Sequence, residues 1–188
     1  MGGDEQYVSR AAYKLDSVAA DFHLDFKNKV VLDVGSSTGG FSDYALTHGA
    51  RLVIAVERGT NQIHSKLRLN NKLELHEKTD IRNFRPAEPI DIVLIDVSFI
   101  SLREVLPYIS TISSKATLIV AMVKPQFETT DEDIKNKGVI KNEKYRRQIL
   151  AEFEKWIRPR YFIKAKADSK ILGVKGNKER FYLLIKSK

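Results

Sequence analysis

The sequence predicts an α/β fold: a doubly wound, mostly parallel seven-stranded sheet with one antiparallel strand and helices on both faces. Three observations predict it. Short β-branched runs alternate with segments of helical periodicity along most of the chain. The first such run ends in a glycine-rich turn that opens a helix, the arrangement of a ligand-binding α/β sheet. The last two runs, Tyr161–Ala167 and Arg180–Ile185, have no helix between them, so they read as a hairpin that supplies the antiparallel strand.

Each element has its own warrant. Ser9–Phe22 carries Ala12, Leu15, Val18, Ala19 and Phe22 at helical spacing, with Ser9 as N-cap. Val30–Val34 is a buried parallel strand. Phe41–Thr47 is a helix stopped near Gly49. Leu52–Val56 is the second strand, Asn61–Leu69 a helix, and Leu73–His76 a weaker third strand. Ile90–Asp96, fronted by Pro89, is a strong strand. Leu102–Ile112 is helical, with Pro107 expected to kink or shorten it. Ala116–Val123 is another buried strand. Gln126–Asn142, polar and containing Thr129-Thr130-Asp131-Glu132-Asp133, is expected to be a mobile loop. Glu143–Ile157 is a helix whose apolar face is Ile149, Leu150, Phe153 and Ile157; its Arg146-Arg147 pair is expected on a solvated face. The Gly-Lys-rich stretch Gly173–Lys178 joins the last two strands.

Composition excludes several classes. The chain's 188 residues amount to a single domain with enough chain to bury a core. The absence of cysteine rules out a disulfide scaffold, thiolate zinc sites and a cysteine nucleophile, and fits a cytoplasmic protein. No apolar run reaches the length of a membrane span, and the first residues lack the basic-then-apolar pattern of a signal peptide. The histidines His23, His48, His64 and His76 show no ligand spacing, so no metal is expected. Lysine and arginine number 32 against 24 acidic residues, a net charge of +8 that points to a polyanion, nucleic acid before membrane. The sequence carries no signal for oligomeric state.

The turn after the first strand reads Asp33-Val34-Gly35-Ser36-Ser37-Thr38-Gly39-Gly40-Phe41. Small residues allow a ligand to approach the backbone, and the helix that follows supplies unpaired N–H groups. The spacing fails the dinucleotide pattern G-x-G-x-x-G, and no phosphate-loop lysine follows Gly39-Gly40. Glu57 ends the second strand, 24 residues after Asp33, where a carboxylate can hold both hydroxyls of a ribose; a pair with Arg58 is the plainer alternative. Asp80 follows the third strand and could accept from an adenine amino group, with Ile81 against the ring, or serve simply as a turn aspartate.

Four segments together resemble the FtsJ-type RNA ribose methyltransferases, and more narrowly the haemolysin A (TlyA) family. They are Ser9-Arg10-Ala11-Ala12-Tyr13-Lys14-Leu15, Asp33–Phe41, Asp96-Val97-Ser98-Phe99 and Val123-Lys124-Pro125-Gln126-Phe127-Glu128. The resemblance covers essentially the whole chain. It implies a Rossmann-like domain binding S-adenosylmethionine and methylating 2′-hydroxyls of RNA, ribosomal RNA or ribosomal subunits being the implied partner. It also implies a small N-terminal RNA-binding domain, which residues 1–188 do not include, so these residues are expected to form the methyltransferase domain alone. Glu57 stands where the family commonly has aspartate.

The resemblance assigns a catalytic tetrad of Lys14, Asp96, Lys124 and Glu179. It assigns cofactor binding to Asp33, Gly35, Ser36, Ser37, Gly39, Gly40, Phe41, Glu57, Asp80, Ile81 and Asp96. The residue types suit the chemistry. Methyl transfer from a sulfonium needs the acceptor oxygen in line behind the methyl group, and much of the rate can come from holding that geometry. A ribose hydroxyl must also lose its proton. A lysine accepts it only if burial or a neighbouring like charge moves its pKa well below about 10.4. Lys124 is the candidate base, with Lys14 and Asp96 positioning substrate and base.

Basic residues expected around the crevice are Arg10, Lys14, Lys135, Lys137, Lys141, Lys170, Lys175, Lys178 and Arg180, suited to backbone phosphates. Phe99, Phe127 and Tyr13 are aromatics that either stack on a splayed base or pack in the core. Two rival readings come from other classes: an RNA- or ribosome-binding module that has lost catalysis, and a membrane-lytic haemolysin, which needs an amphipathic apolar surface the sequence lacks. Base methylation fits poorly, because Asp96-Val97-Ser98-Phe99 lacks the Asn/Asp-Pro-Pro-aromatic pattern for exocyclic amines.

Overall fold

The computed structural model describes residues 6–131 and 139–187. Its seven strands form one sheet: β1 (Val30–Val34), β2 (Leu52–Val56), β3 (Leu73–His76), β4 (Ile92–Ile95), β5 (Leu118–Val123), β6 (Tyr161–Asp168) and β7 (Arg180–Lys186), in the order β3-β2-β1-β4-β5-β7-β6. β3, β2, β1, β4 and β5 pair in parallel; β7 runs antiparallel to both β5 and β6. The expected single antiparallel strand is therefore β7, the second strand of the hairpin.

The inner strands are continuous apolar runs because both faces are covered. One face receives α1 (Arg10–Ala19) and α2 (Gly40–Thr47), whose Leu15, Val18, Phe41 and Tyr44 pack with Val31, Val53 and Leu94. The other receives α4 (Leu102–Ile112) and the long helix α6 (Glu143–Ile157), whose Leu106, Ile109, Leu150 and Phe153 pack with Leu32, Ile54 and Val93. Pro107 is accommodated within α4 without ending it. α1 closes in a Schellman arrangement, with His23 at φ 51, its N–H on Ala20 O and the Leu24 N–H on Ala19 O, which leaves Phe22 in the core. Ser9 stands at the N-cap, but its hydroxyl makes no capping bond.

Three expectations are corrected. The helix over Asn61–Leu69 is a single turn, α3 (Ser65–Arg68): Asn61 sits at φ 55, and the His64 N–H is committed to Thr38 O. The stretch after Lys124 begins with a short helix, α5 (Pro125–Glu128), for which proline at the first helical position was the available signal. Glu132, Asp133, Lys135 and Lys137 lie outside the described residues. Finally, Arg146 is not solvated: it is 2% exposed, donates from Nε to Lys178 O, and holds Asp168 Oδ1 at 2.6 Å. Arg147 alone faces solvent.

Asp168 gathers three cations, with Arg180 Nε at 2.6 Å and Lys178 Nζ at 3.1 Å beside Arg146. Burial alone would raise its pKa. The bonds from Arg180, Arg146 and Lys178 outweigh that and hold the carboxyl well below the usual carboxylate range. This cluster ties α6 to both strands of the hairpin. A depressed pKa stabilises the fold above the unfolded value and ceases to do so as pH falls. Asp168→Asn should therefore destabilise the protein at pH 7 by on the order of 2 kcal/mol, less than a fully buried pair costs because Asp168 is partly solvated. In thermal melts the gap from wild type should shrink as pH drops below about 3.9; a gap that stays constant down to acid pH would contradict the assignment.

Candidate active site

Register explains why the singled-out residues meet. Val34 pairs with Ile95, so Gly35 and Asp96 follow side by side at the carboxyl ends of β1 and β4. Val123 pairs with Arg180 across the antiparallel ladder, so Lys124 leaves β5 where Glu179 enters β7. Because β7 is reversed, a residue at its start shares an edge with residues at the ends of the parallel strands. Open α/β sheets bind ligands at this edge.

The four tetrad residues form two ion pairs. Lys14 Nζ, on α1, lies 2.6 Å from Glu179 Oε2, and both residues are buried. Lys124 Nζ donates to Ser98 Oγ at 2.7 Å and lies 2.6 Å from Asp96 Oδ1, in ion contact but outside hydrogen-bond alignment. Ser98 was not among the expected site residues, although it sits inside the Asp96-Val97-Ser98-Phe99 motif. Next to it, Phe99 adopts φ 64 and is 91% exposed, with its ring 5.3 Å from that of Phe127. A left-handed backbone on a bulky residue costs on the order of 1–3 kcal/mol, and a bare phenyl ring forgoes burial. Tyr13 instead packs edge-on against Tyr7.

Of the four tetrad residues, Asp96 alone lines a cleft of about 600 Å³, within the range of small-molecule sites. Its walls include Gly35, Ser37, Glu57, Asp80, Ile81, Asp96, Ser98 and Phe99, with Val97, Ile100 and Val105 as apolar lining. Gly35 is at φ 79, and a β-carbon there would come within 2.9 Å of Asp96 O, so the β1 turn and the β4 end can be this close only with glycine. Glu57 does not pair with Arg58. Its Oε2 accepts from the Ser37 N–H and its Oε1 from the Gly59 N–H, which draws the two loops to one carboxylate. Asp80 is gripped by Arg82 through Nε, a terminal nitrogen and the backbone N–H; these bonds overcome desolvation and lower its pKa to about 2. Arg58 lies 3.7 Å away on the same carboxylate. Sequence reasoning missed Arg82, for which an arginine two residues after an aspartate was the only cue.

The remaining expected cofactor residues do not line the cleft. Asp33 is fully buried under the turn: Ser42 Oγ donates to its Oδ2 at 2.6 Å, and burial, reinforced by Asp96 and Glu57, pushes its pKa up to about 7 against the pull of Ser42. Gly39 and Gly40 serve packing. A β-carbon on Gly39 would meet Leu67 and Ile63; one on Gly40 would lie 2.2 Å from Ser9 Oγ and 2.8 Å from Ala11 Cβ. Phe41 is buried against Phe181. Ser36 Oγ, Ser9 Oγ and Asp33 Oδ1 are buried around this turn and lack hydrogen-bond partners. Of the expected basic rim, Lys178 and Arg180 are bound to Asp168, and Lys14 to Glu179, which leaves Arg10, Lys141, Lys170 and Lys175 exposed. Among the described residues no group of three or more His, Cys, Asp or Glu is disposed to hold a metal.

The family model for FtsJ-like methyltransferases matches residues 7–186. The chain belongs to the FtsJ-like methyltransferase family. This FtsJ-like chain is 41% identical over 186 residues to the 23S rRNA (cytidine-2′-O)-methyltransferase TlyA of Campylobacter jejuni, covering 97% of this chain and 72% of that protein. Hemolysin A of Brachyspira hyodysenteriae is 36% identical over 149 residues, 77% of this chain and 62% of its own length. A solved structure from Streptococcus thermophilus, described as a candidate hemolysin, matches with a TM-score of 0.92 at 35% identity, over 100% of this chain and 70% of that one.

The FtsJ-like tetrad should betray its pairing in stability. Lys14→Met strands the Glu179 carboxylate in a buried place and should cost on the order of 3 kcal/mol in urea unfolding. Lys14→Met with Glu179→Leu should recover most of that loss, because two apolar residues replace the pair. Equal destabilisation by the single and double variants would show that the two side chains do not depend on each other.

Proposed function

We propose that the chain transfers a methyl group from S-adenosylmethionine to a ribose 2′-hydroxyl of ribosomal RNA. The observation that carries this reading is Asp96, ion-paired with Lys124, standing at the wall of a cleft whose other walls hold Glu57 and Asp80. The name of the Campylobacter jejuni relative, alike over nearly the whole chain, supports it.

The residues present fit the cofactor. Apolar lining at Ile81, Val97 and Ile100 suits an adenine ring, and Glu57 keeps acceptor capacity for ribose hydroxyls beyond its two backbone bonds. Bound S-adenosylmethionine supplies an electrophilic methyl group on a sulfonium. The chain's own side chains do the rest. Lys124, held by Asp96 and Ser98, orients the acceptor hydroxyl and, as the neutral amine left once its ammonium has given a proton to solvent, takes the hydroxyl's proton; Lys14, held by Glu179, positions the RNA. Arg10, Lys141, Lys170 and Lys175 meet backbone phosphates, and the bare Phe99 ring stacks on a base. Among the described residues no helix is long and apolar enough to cross a membrane.

Two measurements test this. In calorimetry S-adenosylmethionine should bind the folded chain, and Glu57→Ala should weaken it by about 1–3 kcal/mol; no heat of binding to the wild-type protein would sink the reading. In methyl-transfer assays Lys124→Ala should leave cofactor affinity nearly intact and cut the rate by roughly 10²-fold or more. Lys124→Arg should not rescue it, since arginine keeps the charge but does not accept a proton. Near-wild-type turnover by Lys124→Arg would make the residue an electrostatic clamp rather than a base.

A further inference from the structure

The segment that delivers Lys124 carries a second ionisable group that the reaction does not use. Glu128, at the end of α5, is buried, and both its oxygens are taken by the segment that follows β4. Ser101 Oγ donates to Oε2 at 2.6 Å, the Leu102 N–H donates to Oε1 at 2.6 Å, and Arg103 Nε lies 3.6 Å from Oε2. Leu102 is the first residue of α4, and Ser101 is its N-cap, accepting from the Arg103 N–H. The Glu128 carboxylate thus caps α4 from a different part of the chain, accepting the Leu102 N–H, which no turn of that helix can satisfy. Burial raises its pKa, and the bonds from Ser101 and Leu102 work against that.

What lies between makes this more than a cap. Residues 96–101 connect β4 to α4 and carry Asp96 and Ser98; residues 124–128 carry Lys124. The two segments are joined at one end by Lys124 on Ser98 and Asp96, in the middle by the Phe99–Phe127 ring contact, and at the other end by Glu128 on Ser101 and Leu102. Phe99 holds a left-handed backbone within that span. Such a conformation persists only where its surroundings over-determine it. Of the three joints, the Glu128 joint alone is made entirely by buried or part-buried groups.

We propose that Glu128 is a positioning residue: by anchoring Ser101 and the first turn of α4 to the segment that bears Lys124, it sets the Asp96–Ser98 loop against the Lys124 ammonium. The proposal rests on the methyl-transfer roles read for Lys124 and Asp96. Glutamine in its place keeps an acceptor for the Leu102 N–H and offers an amide to the Ser101 hydroxyl, so it preserves the brace without the charge.

The test compares Glu128→Ala and Glu128→Gln with wild type in two assays. One is acetic anhydride labelling of Lys124, read by mass spectrometry against exposed Lys170 as internal standard. The other is steady-state methyl transfer to ribosomal RNA. Glu128→Ala should raise Lys124 labelling several-fold and lower kcat by about tenfold or more, with KM for S-adenosylmethionine within about twofold of wild type. Glu128→Gln should restore both. Unchanged labelling or unchanged kcat in a folded Glu128→Ala protein would overturn the proposal, as would a loss of cofactor KM in step with kcat. If Glu128→Ala does not fold by circular dichroism, Ser101→Ala takes its place, and the same rise or constancy of Lys124 labelling decides. A wild-type protein that transfers no methyl group would refute the enzymatic reading, while the labelling arm would still decide whether Glu128 holds Lys124.

Discussion

Glu179 lies buried at the start of β7, and a carboxylate there needs a cation. Lys14 supplies it at 2.6 Å, reaching in from α1. Much else is arranged around that contact. α1 must lie close enough to α2 for the lysine to arrive, and the missing side chain of Gly40 permits it, leaving room for Ser9 and Ala11. β7 must run against its neighbours, because only a reversed strand begins at the edge where the parallel strands end. Burial strengthens the attraction and raises the penalty for losing either partner, so the pair is a specification of geometry more than a source of net stability.

The same economy recurs around the sheet edge. Three acidic groups at or near the cleft are met by fixed donors: Glu57 by the Ser37 and Gly59 N–H groups, Asp80 by Arg82, and Glu128 by the Ser101 hydroxyl and the Leu102 N–H. Below the edge, Asp168 draws Arg146, Lys178 and Arg180 together and steadies the hairpin strand that presents Glu179. Arg10, Lys141, Lys170 and Lys175 remain exposed.

Much of this was legible in the sequence. β1, β2 and β3 match their expected bounds because β-branched runs between turn residues have few alternatives. α4 and α6 do so because each pairs a capping residue, Ser101 or Asn142, with an apolar stripe. The tetrad was legible only through motif resemblance; nothing in spacing alone says that residues 14 and 179 touch. What stayed hidden was tertiary. Arg146 looks like a surface residue until β6 delivers Asp168 beneath it. Asn61–Leu69 has helical composition, yet its first residues are spent reaching the β1 turn. Gly39, Gly40 and Phe41 have the pattern of a ligand loop, and nothing in that pattern says that they also pack against Leu67, Ser9 and Phe181. A sequence pattern records that a residue type is required at a position, and close packing and ligand contact can require the same type.

The contact between Lys14 and Glu179 spans 165 residues. Closing a loop of that length costs chain entropy and brings no reward until nearly all of the sheet exists. During synthesis, α1 and the first five strands can collapse on one another while the hairpin is still inside the ribosome. Such a half-made chain holds Lys14 without its acid, Lys124 without the ladder beside it, and a sheet edge still open at β5. The completed edge therefore waits for the hairpin, and a truncated or stalled product would hold the residues of the Lys124–Asp96 pair but not the acid of the Lys14–Glu179 pair.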